Sequence, residues 1–413
     1  MGKFIINGGN RLSGDIEING SKNSALAILF ACIAVNGEIT LRKVPDIADT
    51  RSCIEILRYY GISVKYADEA TLIIDSRNAE FRPIPYYLTK RLRASSYLLG
   101  ALLSRFGKCE IPESGGCDIG ARPLDLHINA LKALGATECA NGIQCSEDGL
   151  AGCEISFPIK TVGGTVNTII SALKAKGKTV IYNAAREPHI VDLAKFLISC
   201  GADIRGMGTD TVSVYGTDAL HGCEYTVDSD MIETGTFMIA ALATKGAVRC
   251  TNAPCEQLTA LCETLMNMGA DITVKENSVA VRYLPLSPIK IVTNPYPGFP
   301  TDLQPQISAL LGSITGSSSI TENVFENRYG YTNELRKFGM NCNQVNNKLY
   351  INGAESYKCA SVNATDLRGG AACVIAALSA NGSSSVSNAE IIDRGYSDID
   401  KRLSSLGADI RRA

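Results

Sequence analysis

A chain of 413 residues with 45% hydrophobic content exceeds what one core normally supports, so two domains are expected. Lys and Arg number 40 against 42 for Asp and Glu, a formal net charge of −2 that excludes a global polyanion-binding surface; no nucleic-acid partner is expected and any basic site must be local. The apolar stretches, such as residues 25–35, are too short to cross a bilayer and the N-terminus lacks the blocks of a signal peptide, so a cytoplasmic protein without membrane contact is expected. The 15 cysteines are scattered and form no CxxC pair, which reads as reduced thiols, and His127, His189 and His221 lie far apart. Neither a metal nor a cofactor is expected, and no obligate protein partner is evident.

In chain order, residues 1–20 read as strands. SALAILFACIAVNG, ending at Gly37, then reads as a helix buried on most faces, and LRYYGISV as a helix closing at Gly61 before a strand. The same two phrases return five times: SSYLLGALLSRFG with LKALGATE, TIISALKAKG with LISCGADI, TFMIAALATKG with LMNMGADI, ISALLGSITG with LRKFGMNC, and AACVIAALSANG with LSSLGADI. The second phrases turn on Gly61, Gly135, Gly201, Gly269, Gly339 and Gly407, spaced 66 to 74 residues apart. Each repeat is therefore a strand, a buried helix, a strand, an amphipathic helix and a pair of strands, a unit that cannot bury its apolar face alone. Six repeats imply an α/β protein of two three-repeat domains. The expected boundaries are 21–228 for the first domain and 1–20 plus 229–413 for the second, with a hinge near residues 225–230.

The starts of the buried helices carry residues unusual for a core: Lys22 and Asn23, Arg91 and Arg93, Gly163 and Gly164, Glu233, Asp302, and Asp366 with Arg368. The starts of the second helices carry Asp49, the run from Cys117 to Arg122, Arg186 and Glu187, Glu326 to Arg328, and Asp393 with Arg394. Helix N-termini offer unpaired N–H groups and partial positive charge, and Lys22, Arg93, Arg122, Arg328, Arg368 and Arg394 add charge-assisted contacts. If each domain is a threefold arrangement, these positions share one end of it, and an anionic substrate with several acidic groups is implied. Taken singly, each residue is better read as a cap or a surface ion pair; their common phase reverses that and favours a site.

The segment PESGGCDIGARPLDLH stands apart. Cys117, flanked by Gly115, Gly116 and Gly120 and followed by Arg122, reads as a lid residue whose thiol is more acidic than the ordinary value of about 8.5. That suits a proton donor or nucleophile.

Eight ordered motifs, NGSKNSAL, GGCDIGARPLDLH, NAAREPHIVD, IETGTF, FPTDLQ, VFENR, ATDLR and DRGY, resemble the UDP-N-acetylglucosamine 1-carboxyvinyltransferases of peptidoglycan synthesis. The 5-enolpyruvylshikimate 3-phosphate synthases are more distantly similar. The resemblance implies the enolpyruvyl transferase fold, two domains each of three inside-out α/β barrel units, with the active site in the interdomain cleft. It implies phosphoenolpyruvate and UDP-N-acetylglucosamine as substrates. Lys22 and Asn23 would contact phosphoenolpyruvate, Arg122 and Arg394 would grip its phosphate and carboxylate, Cys117 would be the general acid and site of a covalent adduct, and Asp302 the base toward the sugar 3-hydroxyl. Arg93, Arg122, Pro123, Leu124, Asp125, Leu126, Thr161, Val162, Gly163 and Val324 would hold the UDP-sugar, with Asp302, Arg328, Asp366 and Arg368 completing the substrate-binding set. The chain departs from the family pattern at Asp46 and Ala48, where lysines are usual, at Met231, where arginine is usual, at Lys160, displaced by one position, and at Asp118 beside the thiol. These departures leave open a paralogous transferase acting on another nucleotide or sugar acceptor, or a non-catalytic UDP-sugar-binding regulator.

Overall fold

The computed structural model describes residues 2–110, 115, 120–140 and 142–413; Cys117 and Asp118 lie outside the described residues. Among the described residues two compact units emerge, one of residues 20–110, 115, 122–140 and 142–228, the other of 2–19, 120–121 and 229–413. The break falls between Asp228 and Ser229, Gly20 joins the first unit, and Gly120 with Ala121 groups with the second unit rather than with residues 21–228. Gly120 carries φ +127°, and a Cβ on it would stand 2.3 Å from Glu326 Oε2, so its backbone lies against that side chain.

Six helices fill the two cores. The first unit holds α1 (Lys22–Ala31), α2 (Leu98–Phe106) and α3 (Val162–Ala172); the second holds α4 (Met231–Ala243), α5 (Gln304–Gly312) and α6 (Leu367–Ser379). They are buried nearly all round, as their sequence leads one to expect: residues 232–243 of α4 and 367–378 of α6 are all buried. Each unit has its own continuous apolar cluster. Full burial of a Leu, Ile or Phe stabilises by roughly 1.5–3 kcal/mol, so these helices form because they are packed.

The repeat between residues 154 and 215 shows the pattern. Strand Glu154–Ser156 leads into α3, the chain returns as the parallel strand Lys178–Tyr182, helix Pro188–Ser199 follows, and the hairpin Asp203–Arg205 and Thr211–Tyr215 completes a four-stranded sheet. Ile155, Ile181 and Val212 align across it on the buried face. Five sheets share this order, and the sixth, of Lys108–Glu110, Gly142–Cys145 and Ala136–Cys139, has three strands among the described residues.

The chain closes both units by borrowing strands. Ser13–Glu17 lies parallel to Ala247–Thr251, and Glu224–Thr226 parallel to Glu38–Arg42. Lys3–Gly8 sits between Gly382–Ser387 and Asp409–Arg412, where the other sheets place the second hairpin strand. The six glycines that end the second helices all adopt φ between 81° and 110°, the left-handed conformation their position requires. Gly246 answers to a different constraint: a Cβ there would stand 2.0 Å from Leu12 O, and Lys245 before it takes the positive φ of 55°. Among the described residues no helix is long and apolar enough to cross a membrane, and no group of three His, Cys, Asp or Glu could hold a metal ion.

Candidate active site

In the 229–413 unit Arg328, Arg368 and Asp366 gather at one carboxylate, that of Asp302. Asp302 lies in the short 3₁₀ turn Thr301–Leu303, which leads into α5. Arg368, in the first turn of α6, donates from Nε and Nη2 to Asp302 Oδ2 at 3.2 and 2.9 Å. Arg328 faces Asp302 Oδ1 at 3.7 Å and Asp366 Oδ1 at 3.4 Å, and donates from Nε and Nη2 to Thr301 O at 3.3 Å each. Asp366 caps α6 by accepting from the backbone N–H groups of Arg368 and Gly369, both at 3.0 Å. The side chains of Arg328 and Arg368 are 2% and 5% exposed, whereas Asp302 keeps 30% of its surface open. Burial, the largest influence, would lower the pKa of Arg368, but Asp302, with Tyr396 and Asp230 behind it, together outweigh it and the net shift is upward. The result is an accessible carboxylate fixed by two buried guanidiniums, suited to accepting a proton from a hydroxyl group. Val324 belongs to the same surface: Glu322, buried, accepts from the N–H groups of Val324 and Phe325 at 2.8 and 3.2 Å and from Thr301 Oγ1 at 3.0 Å. Arg394, half-buried, follows the short helix Ala389–Ile392.

The 20–228 unit gathers a second set. Ser21 caps α1, its hydroxyl accepting from Ser24 N at 3.3 Å, which leaves Lys22 and Asn23 in the first turn. Lys22 pairs with the buried Asp49 at 2.9 Å. Arg93 opens the 3₁₀ helix Arg93–Tyr97 and donates to Arg122 O; burial, and then the neighbouring Arg122 charge, lower its pKa. Two arginines this close favour an anion beside them. Leu124 precedes helix Asp125–Ala133, with Leu124 and Leu126 packed against the core and Pro123 and Asp125 exposed. Thr161 caps α3 by accepting from Gly164 N at 3.2 Å, which sets Val162 and Gly163 in a first turn whose N–H groups need an acceptor from outside the helix. Thus Arg93, Arg122, Pro123, Leu124, Asp125, Leu126, Thr161, Val162 and Gly163 form one neighbourhood.

Other expected residues have structural partners instead. Arg91 pairs with Glu55 on the surface, Arg186 Nε donates to Gly208 O at 3.0 Å, and Asp393 pairs with Arg412. Glu233, buried in α4, takes Arg402 as its ion-pair partner and accepts from Asn19 N at 2.8 Å, so it ties α4 to the end of the N-terminal segment. The departures are engaged too: Asp46 holds Arg51 bidentately at 2.6 Å, and Lys160 pairs with Asp210. Cys117 lies outside the described residues. Glu322 and Asn167 carried no individual signal in the sequence, and His127 carried only its place at the end of GGCDIGARPLDLH.

A family model described as EPSP synthase (3-phosphoshikimate 1-carboxyvinyltransferase) matches residues 6–403. UDP-N-acetylglucosamine 1-carboxyvinyltransferase 2 of Symbiobacterium thermophilum is 44% identical over 413 residues, 99% of this chain and 98% of that protein. The UDP-N-acetylglucosamine 1-carboxyvinyltransferase of Streptococcus pneumoniae serotype 2 is 43% identical over 416 residues, covering 100% and 99%. Among solved structures, the enolpyruvyl transferase NikO of Streptomyces tendae superposes with a TM-score of 0.89 at 26% identity, covering 100% of this chain and 99% of that one. An EPSP synthase of Acinetobacter baumannii gives 0.78 at 18% identity over the full length of both chains, a likeness of fold alone.

Proposed function

The chain belongs to the carboxyvinyltransferase family of EPSP synthase, and on that footing we propose that it transfers the enolpyruvyl group of phosphoenolpyruvate to the 3-hydroxyl of UDP-N-acetylglucosamine, releasing phosphate. This is the first committed step of peptidoglycan synthesis, and a cytoplasmic setting belongs to the same proposal. The observation that carries it is identity of 43–44% over essentially the whole length with proteins of that name.

The chemistry asks for a base and an acid. The sugar hydroxyl adds to C2 of phosphoenolpyruvate while C3 gains a proton; C3 then loses a proton as phosphate departs, and the double bond is restored. Asp302 takes the hydroxyl proton in this reading, which its anchoring by Arg328 and Arg368 supports. Cys117 is assigned the proton donation to C3 and the covalent adduct on the family resemblance alone. Lys22, Asn23, Arg122 and Arg394 hold the phosphate and carboxylate of phosphoenolpyruvate, and the segments around Arg93, Arg122 and Thr161 hold the UDP-sugar.

The test is phosphate release from phosphoenolpyruvate with UDP-N-acetylglucosamine. Wild-type protein should release it, and Asp302→Asn should lower kcat by roughly 10²–10⁴-fold while UDP-sugar binding persists. Folded protein that releases no phosphate above background sinks the proposal. A second reading, transfer to another nucleotide or sugar acceptor, is favoured by Lys160 being engaged by Asp210 and by the acidic Asp46 at a usually basic position. A panel of acceptors separates the two, since phosphate released with one of them but not with UDP-N-acetylglucosamine selects the second.

A further inference from the structure

His127 has no part in the chemistry described above, yet it lies at the junction of the three segments assigned to the nucleotide sugar. It is buried, one turn into helix Asp125–Ala133, and its Nδ1 stands 2.8 Å from Asn167 Nδ2 on α3. The orientation of Asn167 is fixed by its other bonds: its Oδ1 accepts from Gly100 N at 2.7 Å, so Nδ2 is the donor, and it also lies 3.1 Å from Ser96 O and 3.2 Å from Gly163 O. An amide nitrogen can only donate, so His127 Nδ1 carries a lone pair and the ring is the neutral form protonated on Nε2. Burial first, and the Arg93 charge second, hold its pKa at about 4, in keeping with that form.

The ring also touches the start of α3 directly. A Cβ built on Gly163 would stand 2.3 Å from His127 Cε1 and 2.7 Å from Nε2, closer than real atoms approach, so imidazole and glycine backbone are in contact. Ser96 lies in the 3₁₀ helix that opens with Arg93, whose guanidinium donates to Arg122 O. One asparagine and one histidine thereby tie together the Arg93 turn, the helix after Arg122 and the first turn of α3.

We propose that His127 is a positioning residue for the UDP-sugar: its ring, hydrogen-bonded to Asn167 and wedged against Gly163, fixes the spacing between the segment 122–126 and the first turn of α3. The inference rests on the functional reading above. Phosphoenolpyruvate is held in that reading by Lys22, Asn23 and Arg394 as well as by Arg122, and of these only Arg122 lies in the segment that His127 fixes, so its binding should lose less than that of the UDP-sugar.

The experiment compares wild-type protein with His127→Ala, His127→Asn, Gly163→Ala and the double variant His127→Ala/Gly163→Ala. Calorimetric binding of UDP-N-acetylglucosamine, phosphate release and thermal unfolding are recorded for each. His127→Ala should weaken UDP-sugar binding about tenfold or more, while KM for phosphoenolpyruvate stays within about twofold and kcat within about threefold. His127→Asn, whose carboxamide oxygen can accept from Asn167 in place of Nδ1, should restore affinity to within about threefold of wild type. Gly163→Ala should weaken binding because the methyl group collides with the ring, and adding it to His127→Ala should cost nothing further, a non-additivity that general loss of stability does not produce. Strictly additive losses, equal losses in the affinity for both substrates, or failure of His127→Asn to do better than His127→Ala would overturn the inference. Wild-type protein that turns over the UDP-sugar confines such a failure to His127; wild-type protein that neither binds nor turns it over overturns the functional reading and this inference together.

Discussion

Two buried ionisable side chains in the 20–228 unit titrate in opposite senses. His127 is held neutral, with a pKa of about 4 against an ordinary 6.5, by burial and by Arg93. Between those values the unfolded chain takes up a proton that the folded state refuses, so its contribution to stability falls as pH drops from about 6.5 to about 4, by roughly 3 kcal/mol at most. Asp192, raised to about 6 by burial and then by the Asp228 charge, does the reverse, because the folded state keeps a proton that the unfolded chain loses near 3.8. Its contribution is present at low pH and is lost as pH rises toward 6, again by roughly 3 kcal/mol at most. The two nearly cancel in wild-type protein between about pH 4 and 6. In His127→Asn the Asp192 contribution stands alone, so stability relative to wild type should rise as pH falls from 6.5 to 4.5 in denaturant titrations; parallel profiles would contradict the neutral assignment of the ring. Single residues were also where sequence reasoning divided. Asp302, Arg328, Asp366 and Arg368 were legible because their motifs are distinctive and the structure assembles them around one carboxylate. Glu233 was not, because a glutamate in an apolar helix looks the same whether it faces a ligand or, as here, Arg402, a partner 169 positions away.

Helix α2 meets α3 at Gly100, where it has no side chain of its own to hold the two backbones apart. A Cβ on Gly100 would stand 2.6 Å from Asn167 O and 3.0 Å from Asn167 Cα, and both are atoms of a helix backbone that cannot rotate aside. Gly100→Ala should therefore destabilise by about 1–3 kcal/mol through overpacking, despite the better helix propensity of alanine. Gly330, where a Cβ meets nothing within 4 Å, supplies the control: Gly330→Ala should leave the unfolding midpoint unchanged. Equal effects at the two sites would mean that the interhelical contact is looser than these distances say. At this scale the helices were readable, since Ala-rich segments and terminating glycines carry their conformation in the local sequence, and all six second-phrase glycines do adopt positive φ. The sheet partners were less so. Strands such as GSSSIT at Gly316–Thr321 and GSSSVS at Gly382–Ser387 have little strand propensity, and they form because neighbours on both sides engage their backbones. Backbone donors and acceptors leave no mark on residue identity, so the parallel pairing of Ser13–Glu17 with Ala247–Thr251 could be anticipated only as a strand-rich segment completing the second domain.

The 229–413 unit is incomplete without the N-terminus of the chain. Lys3–Gly8 is an interior strand, hydrogen-bonded on both edges, and Ser13–Glu17 is the parallel edge of another sheet. Phe4, Ile6, Leu12, Ile16 and Ile18 from this segment are all buried in the core of the unit. At roughly 2 kcal/mol each, those five side chains contribute on the order of 10 kcal/mol, as much as the whole net stability of a typical domain. Residues 229–413 expressed alone should therefore lack cooperative unfolding and near-ultraviolet circular dichroism. The remedy is built into the fold, because Lys3 N donates to Ala413 O at 3.0 Å and Ala413 N to Lys3 O at 2.8 Å, which places the two chain ends on adjacent antiparallel strands. A two- or three-residue Gly-containing turn joining residue 413 to residue 2 would continue that pair as a hairpin, so a chain of 229–413, the turn and 2–19 should fold cooperatively. The comparison is made by thermal and denaturant unfolding of the two fragments. Cooperative unfolding of 229–413 without the added strands would show that the remaining sheets close on their own, and the borrowed strands would then be accessory to the core.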